Sequence, residues 1–206
     1  MGPSPPRLDV KTWESYRATR GRFDVIDLPT RRYLMVDGHG DPNTEAFTAA
    51  VQSLYPVAYT CKFTSKRELG RDHVVPPLEG LWWADDMDSF TVGRDKSQWH
   101  WTLMLFTPDW YTCDLVTNAI ETVRQRKAPP RIDDLRWQDL SEGRVVQTLH
   151  VGSFDDEADV LDELHRQVIP GHGWTMSGHH HEIYLSDFRR VPEDRRRTIL
   201  RQPVTG

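Results

Sequence analysis

Only two cysteines, Cys61 and Cys113, occur among 206 residues, and their spacing fits neither a metal knuckle nor a disulfide framework. A reducing compartment is the simpler setting for such a chain. No apolar run is long enough to span a bilayer, and the Pro-rich stretch Met1 to Leu8 lacks the apolar core of a signal peptide. A cytoplasmic protein without membrane contact is expected. Positive charge is not in excess either: the formal net charge is -5, which argues against a general affinity for nucleic acid. The one local basic run, Arg189 to Arg201, interleaves Arg195, Arg196 and Arg197 with Glu193 and Asp194 and reads as a solvated helix face. No Gly-rich loop lies between a strand and a helix, and no serine sits in a nucleophile elbow, so neither a nucleotide site nor a serine nucleophile is expected. No cofactor is called for.

Against these absences stand eight tryptophans, whose large flat side chains must pack or line a binding surface. With 37% hydrophobic and 28% charged residues, the chain falls in the folded globular range. Phe23 to Leu28 and Arg32 to Asp37 read as strands, followed by a turn at Gly38 and Gly40. Phe47, Ala50, Val51 and Leu54 recur at helical spacing; Pro56 should break or kink that helix before Val57 to Phe63 resumes it. Val74 to Trp83, bounded by the acidic turn Asp85 and Asp86, reads as a strand, and Trp99 to Phe106, apolar on both faces, as a central one. Leu115, Val116, Ala119, Ile120 and Val123 mark a second helix that ends at Ala128 to Pro130, and Leu135 to Leu140 is a short strand. The last third repeats the first: strand Val145 to Val151, a helix starting at Asp155 to Glu157 with an apolar stripe through Leu161, Leu164, Val168 and Ile169, then closing strand His180 to Ser186.

The two closing strands read Leu78-Glu-Gly-Leu-Trp-Trp83 and His181-Glu-Ile-Tyr-Leu185. A duplicated module aligns Glu79 with Glu182, and Trp82 with Tyr184 if Gly80 forms a bulge. Strand alternation puts Ile183 and Leu185 in the core and His180, Glu182 and Tyr184 on the other face. That face is a wet sheet surface or a polar site. Two adjacent indoles, Trp82 and Trp83, are poorly suited to bulk water, which favours an enclosed cleft with carboxylates on its floor and aromatics on its walls. In such a cleft desolvation raises carboxyl pKa values, and two carboxyls push theirs apart, so one can give a proton while the other takes one from water. The same pair can instead attract a cationic aromatic ligand. Sequence leaves both open. His179, His180 and His181 alternate between faces and so supply at most two ligands to one side; no metal is expected. Glu157, in Gly152-Ser-Phe-Asp-Asp-Glu157, reads as a helix N-terminal acid favoured by the dipole.

Several strings now carry a family likeness: Tyr33-Leu-Met-Val-Asp-Gly-His-Gly-Asp-Pro-Asn43, Pro77-Leu-Glu-Gly-Leu-Trp-Trp-Ala-Asp-Asp86, Glu142-Gly-Arg, His150-Val-Gly, His180-His-Glu-Ile-Tyr-Leu-Ser-Asp187 and Thr198-Ile-Leu-Arg-Gln-Pro-Val204. They resemble the GyrI-like small-molecule-binding proteins, in their stand-alone branch, from about Phe23 onward. The resemblance implies an α+β fold, a duplicated βαββ module of the SHS2 type with an antiparallel sheet, helices on one side and a ligand cleft between the repeats. Residues 1–22 would be an N-terminal arm, loose to about Lys11, and 23–206 one domain: repeat one at about 23–106, a linker helix at about 107–134, repeat two at about 135–206. No DNA-binding helices are expected ahead of it. Relatives of this kind serve as effector domains of multidrug-responsive activators, where a buried glutamate matching Glu182 meets a cationic drug. Others are described as hydrolases that open the cyclopropane of DNA-alkylating natural products with paired glutamates, a tyrosine and tryptophans. The resemblance assigns catalytic roles to Glu182, Glu79 and Tyr184, and ligand contact to Trp82, Trp83, Trp101, Trp137 and His180. The expected partner is a planar, in some cases cationic, small molecule, bound by a monomer or weak homodimer. The expected activity is detoxifying hydrolysis; the alternative is a sequestering or sensing protein without turnover.

Overall fold

The computed structural model of the chain describes residues 7–85 and 95–206. Met1 to Pro6 of the expected arm and Asp86 of the expected acidic turn lie outside the described residues. Nine strands occur among the described residues: β1 (Asp24–Leu28), β2 (Arg31–His39), β3 (Leu78–Trp83), β4 (His100–Thr107), β5 (Arg136–Leu140), β6 (Gly143–Val151), β7 (Thr175–Met176), β8 (His180–Tyr184) and β9 (Arg197–Thr205). All pair antiparallel, in the order β1-β6-β9-β8-β3-β4-β2-β5, with β7 added to β9. The helices are α1 (Glu45–Thr64), α2 (Cys113–Lys127) and α3 (Ala158–Glu163), the last widening through a π turn, Leu164–Val168, into the short helical turn Ile169–Gly171. This is the expected α+β architecture. Two βαββ units, β2-α1-β3-β4 and β6-α3-β8-β9, make up most of it.

The units meet edge to edge rather than face to face. β3 and β8 would each be an unpaired edge, and they satisfy one another, with Leu78 opposite Tyr184 and Trp82 opposite His180. The outer ends carry an exchange: β1, which precedes the first unit, pairs with β6 of the second, and β5, which precedes the second, pairs with β2 of the first. This forces the sheet to curl. In a flat sheet β1 and β2 would stand six spacings apart, about 29 Å, whereas only Pro29 and Thr30 join them, a reach of about 11 Å. Ser141 and Glu142 join β5 to β6 in the same way, and Thr30 and Ser141 hydrogen-bond across the closure at 2.7 Å.

One face of this curled sheet carries the helices. Leu34, Val36, Leu103 and Leu105 pack under Phe47, Ala50, Leu54, Val57 and Cys61 of α1 and Leu115, Val116 and Ala119 of α2. Pro56 lies inside α1 without ending it. Buried Leu54 and Val57 hold both halves on the sheet, and Gln52, whose carbonyl loses its helical donor, is exposed to water. The other face takes the N-terminal segment. Val10, Tyr16 and Trp13 pack among Tyr33, Met35, Met104, Phe106, Ile183 and Ile199. The segment is therefore bound from Leu8 onward, where Val74 N–H donates to its carbonyl at 2.8 Å, rather than loose to Lys11. The basic run is not the face of an α-helix: it is a turn and a single 3-10 turn, Glu193–Arg195, followed by β9, in which Arg201 is buried. No helix among the described residues is long and apolar enough to cross a membrane.

Candidate functional site

Strand parity decides which predicted residues meet. β3 pairs residue for residue with both β4 and β8, so Gly80 forms no bulge, and Glu79 stands opposite Ile183, one residue out of step with Glu182. Residues directly opposite in an antiparallel pair share a face. Gly80 and Glu182, Trp82 and His180, and Leu78 and Tyr184 therefore face the helices, while Glu79, Leu81, Trp83, His181 and Ile183 face the N-terminal segment. The expectation that Glu79 and Glu182 share one hollow is corrected: they lie on opposite sides of the sheet.

On the helix side a hydrogen-bond chain crosses the β3·β8 seam. Trp82 Nε1–H donates to the Tyr184 hydroxyl at 3.0 Å, and that hydroxyl donates to Glu182 Oε2 at 2.7 Å. Gly80 is what allows it to pass. A Cβ there would stand 2.8 Å from Trp82 Nε1 and 3.0 Å from the Tyr184 oxygen, so any side chain would push the chain apart. Gly38 serves Trp101 likewise, since its missing Cβ would fall 2.0 Å from the indole ring. Burial pushes the Tyr184 phenol well above its ordinary range, which keeps it a donor.

The second carboxylate of this face is Glu157, not Glu79. It ends the turn Phe154–Glu157 that leads into α3, is only 4% exposed, and its Oε1 has no hydrogen-bond partner among the described residues. Burial first, and then the charge of Glu182, push the Glu157 carboxyl well above the usual carboxylate range. Burial also raises Glu182, to about 7, although the Tyr184 hydrogen bond and the His181 charge work against the rise. Both carboxyls thus hold their protons more tightly than an exposed carboxylate does, and two such acids in one apolar setting titrate as a coupled pair in separate steps. An aromatic wall surrounds it. Phe154 and Phe188 stand edge-on to Tyr184 at 5.7 and 6.0 Å; Phe47 stacks on Trp82 at 6.2 Å and meets Trp101 at 5.3 Å; Trp99 meets Trp82 at 6.0 Å. The Glu182 side chain keeps 13% of its surface accessible and that of His180 10%, so these two are buried without being sealed.

The remaining predicted residues lie elsewhere. Trp83 is on the opposite face, stacked on His179 at 4.2 Å and on His100 at 5.6 Å. Trp137 sits on edge strand β5, four strands along the sheet from β8, under Arg32 and donating to Thr107. Glu79 belongs to a buried polar network. It accepts from Tyr16 at 2.6 Å and lies 2.9 Å from His181 Nε2, whose Nδ1 is 2.8 Å from Glu142; Arg201 approaches Glu142 at 3.4 Å and binds Gln147 and the carbonyl of Ser15. Burial opposes charge here, yet the His181 and Arg201 charges bring Glu142 down to about 2, and Glu142 and Glu79 raise His181. Its partners are all internal, which makes it a structural clamp on the N-terminal segment. In the sequence Glu157 reads more readily as an acid at a helix start than as a catalytic group, and Asp155 and Asp156 beside it look the same.

A family model for the GyrI-like small molecule binding domain matches residues 113–204. An uncharacterized conserved protein from Listeria innocua is 37% identical over 97% of this chain and 100% of its own, with a TM-score of 0.87. A hydrolase from the same organism is 36% identical, again over 97% of this chain and 100% of its own, with a TM-score of 0.86. The C-terminal domain of EcmrR shares the fold, with a TM-score of 0.55 at 10% identity over 89% of this chain and 97% of that one. Comparison with curated proteins returns no match.

Proposed function

The chain belongs to the GyrI-like small-molecule-binding family, and we propose that it holds a planar lipophilic molecule over the β3·β8 seam and hydrolyses a strained, cyclopropane-bearing electrophile there as a detoxifying step. The observation that carries this reading is the pair of buried carboxyls, Glu157 and Glu182, both raised by burial beside an aromatic wall. Protonated Glu157 is the acid and Glu182 the base. Water attacks the ring CH2 as Glu182 takes its proton; the ring C–C bond breaks, its electron pair flows into the conjugated carbonyl, and Glu157 protonates the resulting oxyanion. Tyr184 and Trp82 fix the Glu182 carboxylate in place. The 36% identity to a Listeria innocua hydrolase supports turnover over binding alone.

Incubation with a cyclopropane-bearing alkylator, followed by mass spectrometry of the water adduct, tests this. Wild type should exceed the uncatalysed rate, and Glu157→Gln and Glu182→Gln should each fall by about a hundredfold or more, the range of general acid–base catalysis. A planar cationic dye read by tryptophan quenching separates the second reading: dye binding with no adduct above background would leave a sequestering protein.

A further inference from the structure

His180 lies beside the carboxyl pair and takes no part in the chain from Trp82 to Glu182. It is nine-tenths buried, and neither ring nitrogen has a hydrogen-bond partner among the described residues. Its Nε2 stands 3.8 Å from Glu182 Oε1, the carboxylate oxygen that Tyr184 leaves free. That gap is too long for a direct bond and has the width for one oxygen about 2.8 Å from each atom. Edge-on to His180, at 6.0 Å between ring centres, is His165, whose buried Nε2 is also unpartnered. His165 comes from the π turn Leu164–Val168, and such single-turn widenings of a helix recur at functional sites. Polar atoms buried without partners cost about 1–3 kcal/mol each, so the three unpartnered nitrogens of the neighbouring His180 and His165 mark a place where a polar group is received.

We propose that His180, held edge-on by His165, is the positioning residue for the attacking water, which it fixes between its Nε2 and Glu182 Oε1. This rests on the hydrolytic reading of the Glu157–Glu182 site. The water donates one proton to Glu182 and accepts a hydrogen bond from the His180 N–H, which leaves one lone pair to form the new C–O bond. Burial holds His180 far below the ordinary histidine range, to about 3, so the ring is neutral and does not pair with Glu182 as a cation. Above about pH 7 water therefore meets an ionised base and a neutral donor.

The test compares wild type with His180→Phe and His180→Gln on the cyclopropane-bearing alkylator, with methanol present as a competing nucleophile. Loss of the donor should lower kcat by about tenfold or more, as misplacement of a reactant does, with KM nearly unchanged. The share of methyl ether in the product should rise, because water loses its privileged place. His180→Gln, whose carboxamide N–H reaches the position of Nε2, should restore most of the rate and the product ratio. His180→Ala, which cannot overpack, carries the same expectation as the Phe variant if that one does not fold. Wild-type turnover with an unaltered rate and product ratio in both the Phe and Ala variants overturns the water assignment alone. Absence of wild-type turnover overturns the hydrolytic reading and this assignment together.

Discussion

Replacing Glu182 with Gln should make the protein more stable at pH 8 relative to pH 5 than wild type is. Burial raises the folded-state pKa of Glu182 from 4.5 to about 7, so across that interval the native state binds a proton that the unfolded chain has released. Stability then falls as pH rises through the window from about 4.5 to about 7. The rise corresponds to about 3 kcal/mol at 1.36 kcal/mol per unit, an upper figure because the side chain is 13% accessible. The amide removes this titration, and removal of the Glu182 charge also relaxes the rise at Glu157, which has the same sign. Gln still accepts from Tyr184, and the cost of its buried N–H2 is the same at both pH values. The quantity to measure is therefore the change in the wild-type to variant difference between pH 5 and pH 8, from urea unfolding midpoints at constant slope. A variant gain of about 2–3 kcal/mol at pH 8 over pH 5 is expected. If the difference is the same at both pH values, or wild type gains stability relative to the variant as pH rises, the desolvated carboxyl does not exist.

Tyr184→Phe removes the hydrogen bond that holds Glu182 down and should raise the pH midpoint of Glu182-dependent activity by about 1 to 2 units, the equivalent of a bond to a charged group; an unmoved or lowered midpoint in a pH–rate profile contradicts the geometry. Arg201→Met leaves Glu142 buried beside His181 without its second cation and should cost about 3–5 kcal/mol in urea unfolding. It should also speed tryptic cleavage after Arg17 and Arg20, because Arg201 holds the Ser15 carbonyl. A loss below about 1 kcal/mol would mean the network is not a clamp. Gly38→Ala drives a methyl into the Trp101 ring and should cost at least the 1–3 kcal/mol typical of overpacking, with a shift in tryptophan emission; an unchanged melting midpoint would show that Trp101 does not rest on Gly38.

The strands and helices of both units were legible because each buries one face, and burial on one face writes itself into the chain as a period of two or of three to four. Phe47 to Leu54, Leu115 to Val123 and Ile183 with Leu185 show it plainly. The repeat of strand, helix and two strands was legible for the same reason, as was the placing of Glu182 and Tyr184 on one face of a strand. Register was not. Whether Gly80 bulges is a one-residue matter that flips every later side chain to the other face, and only the pairing of β3 with β4 and β8 settles it, sending Glu79 and Trp83 to the N-terminal segment. Nor does a sequence say which of three consecutive acids is buried. Asp155, Asp156 and Glu157 share one local signal, and it is the packing of the Phe154 turn against the seam that withdraws Glu157 from water and makes its proton hard to remove. Local period fixes which residues point inward; the closure of the sheet decides what they meet there.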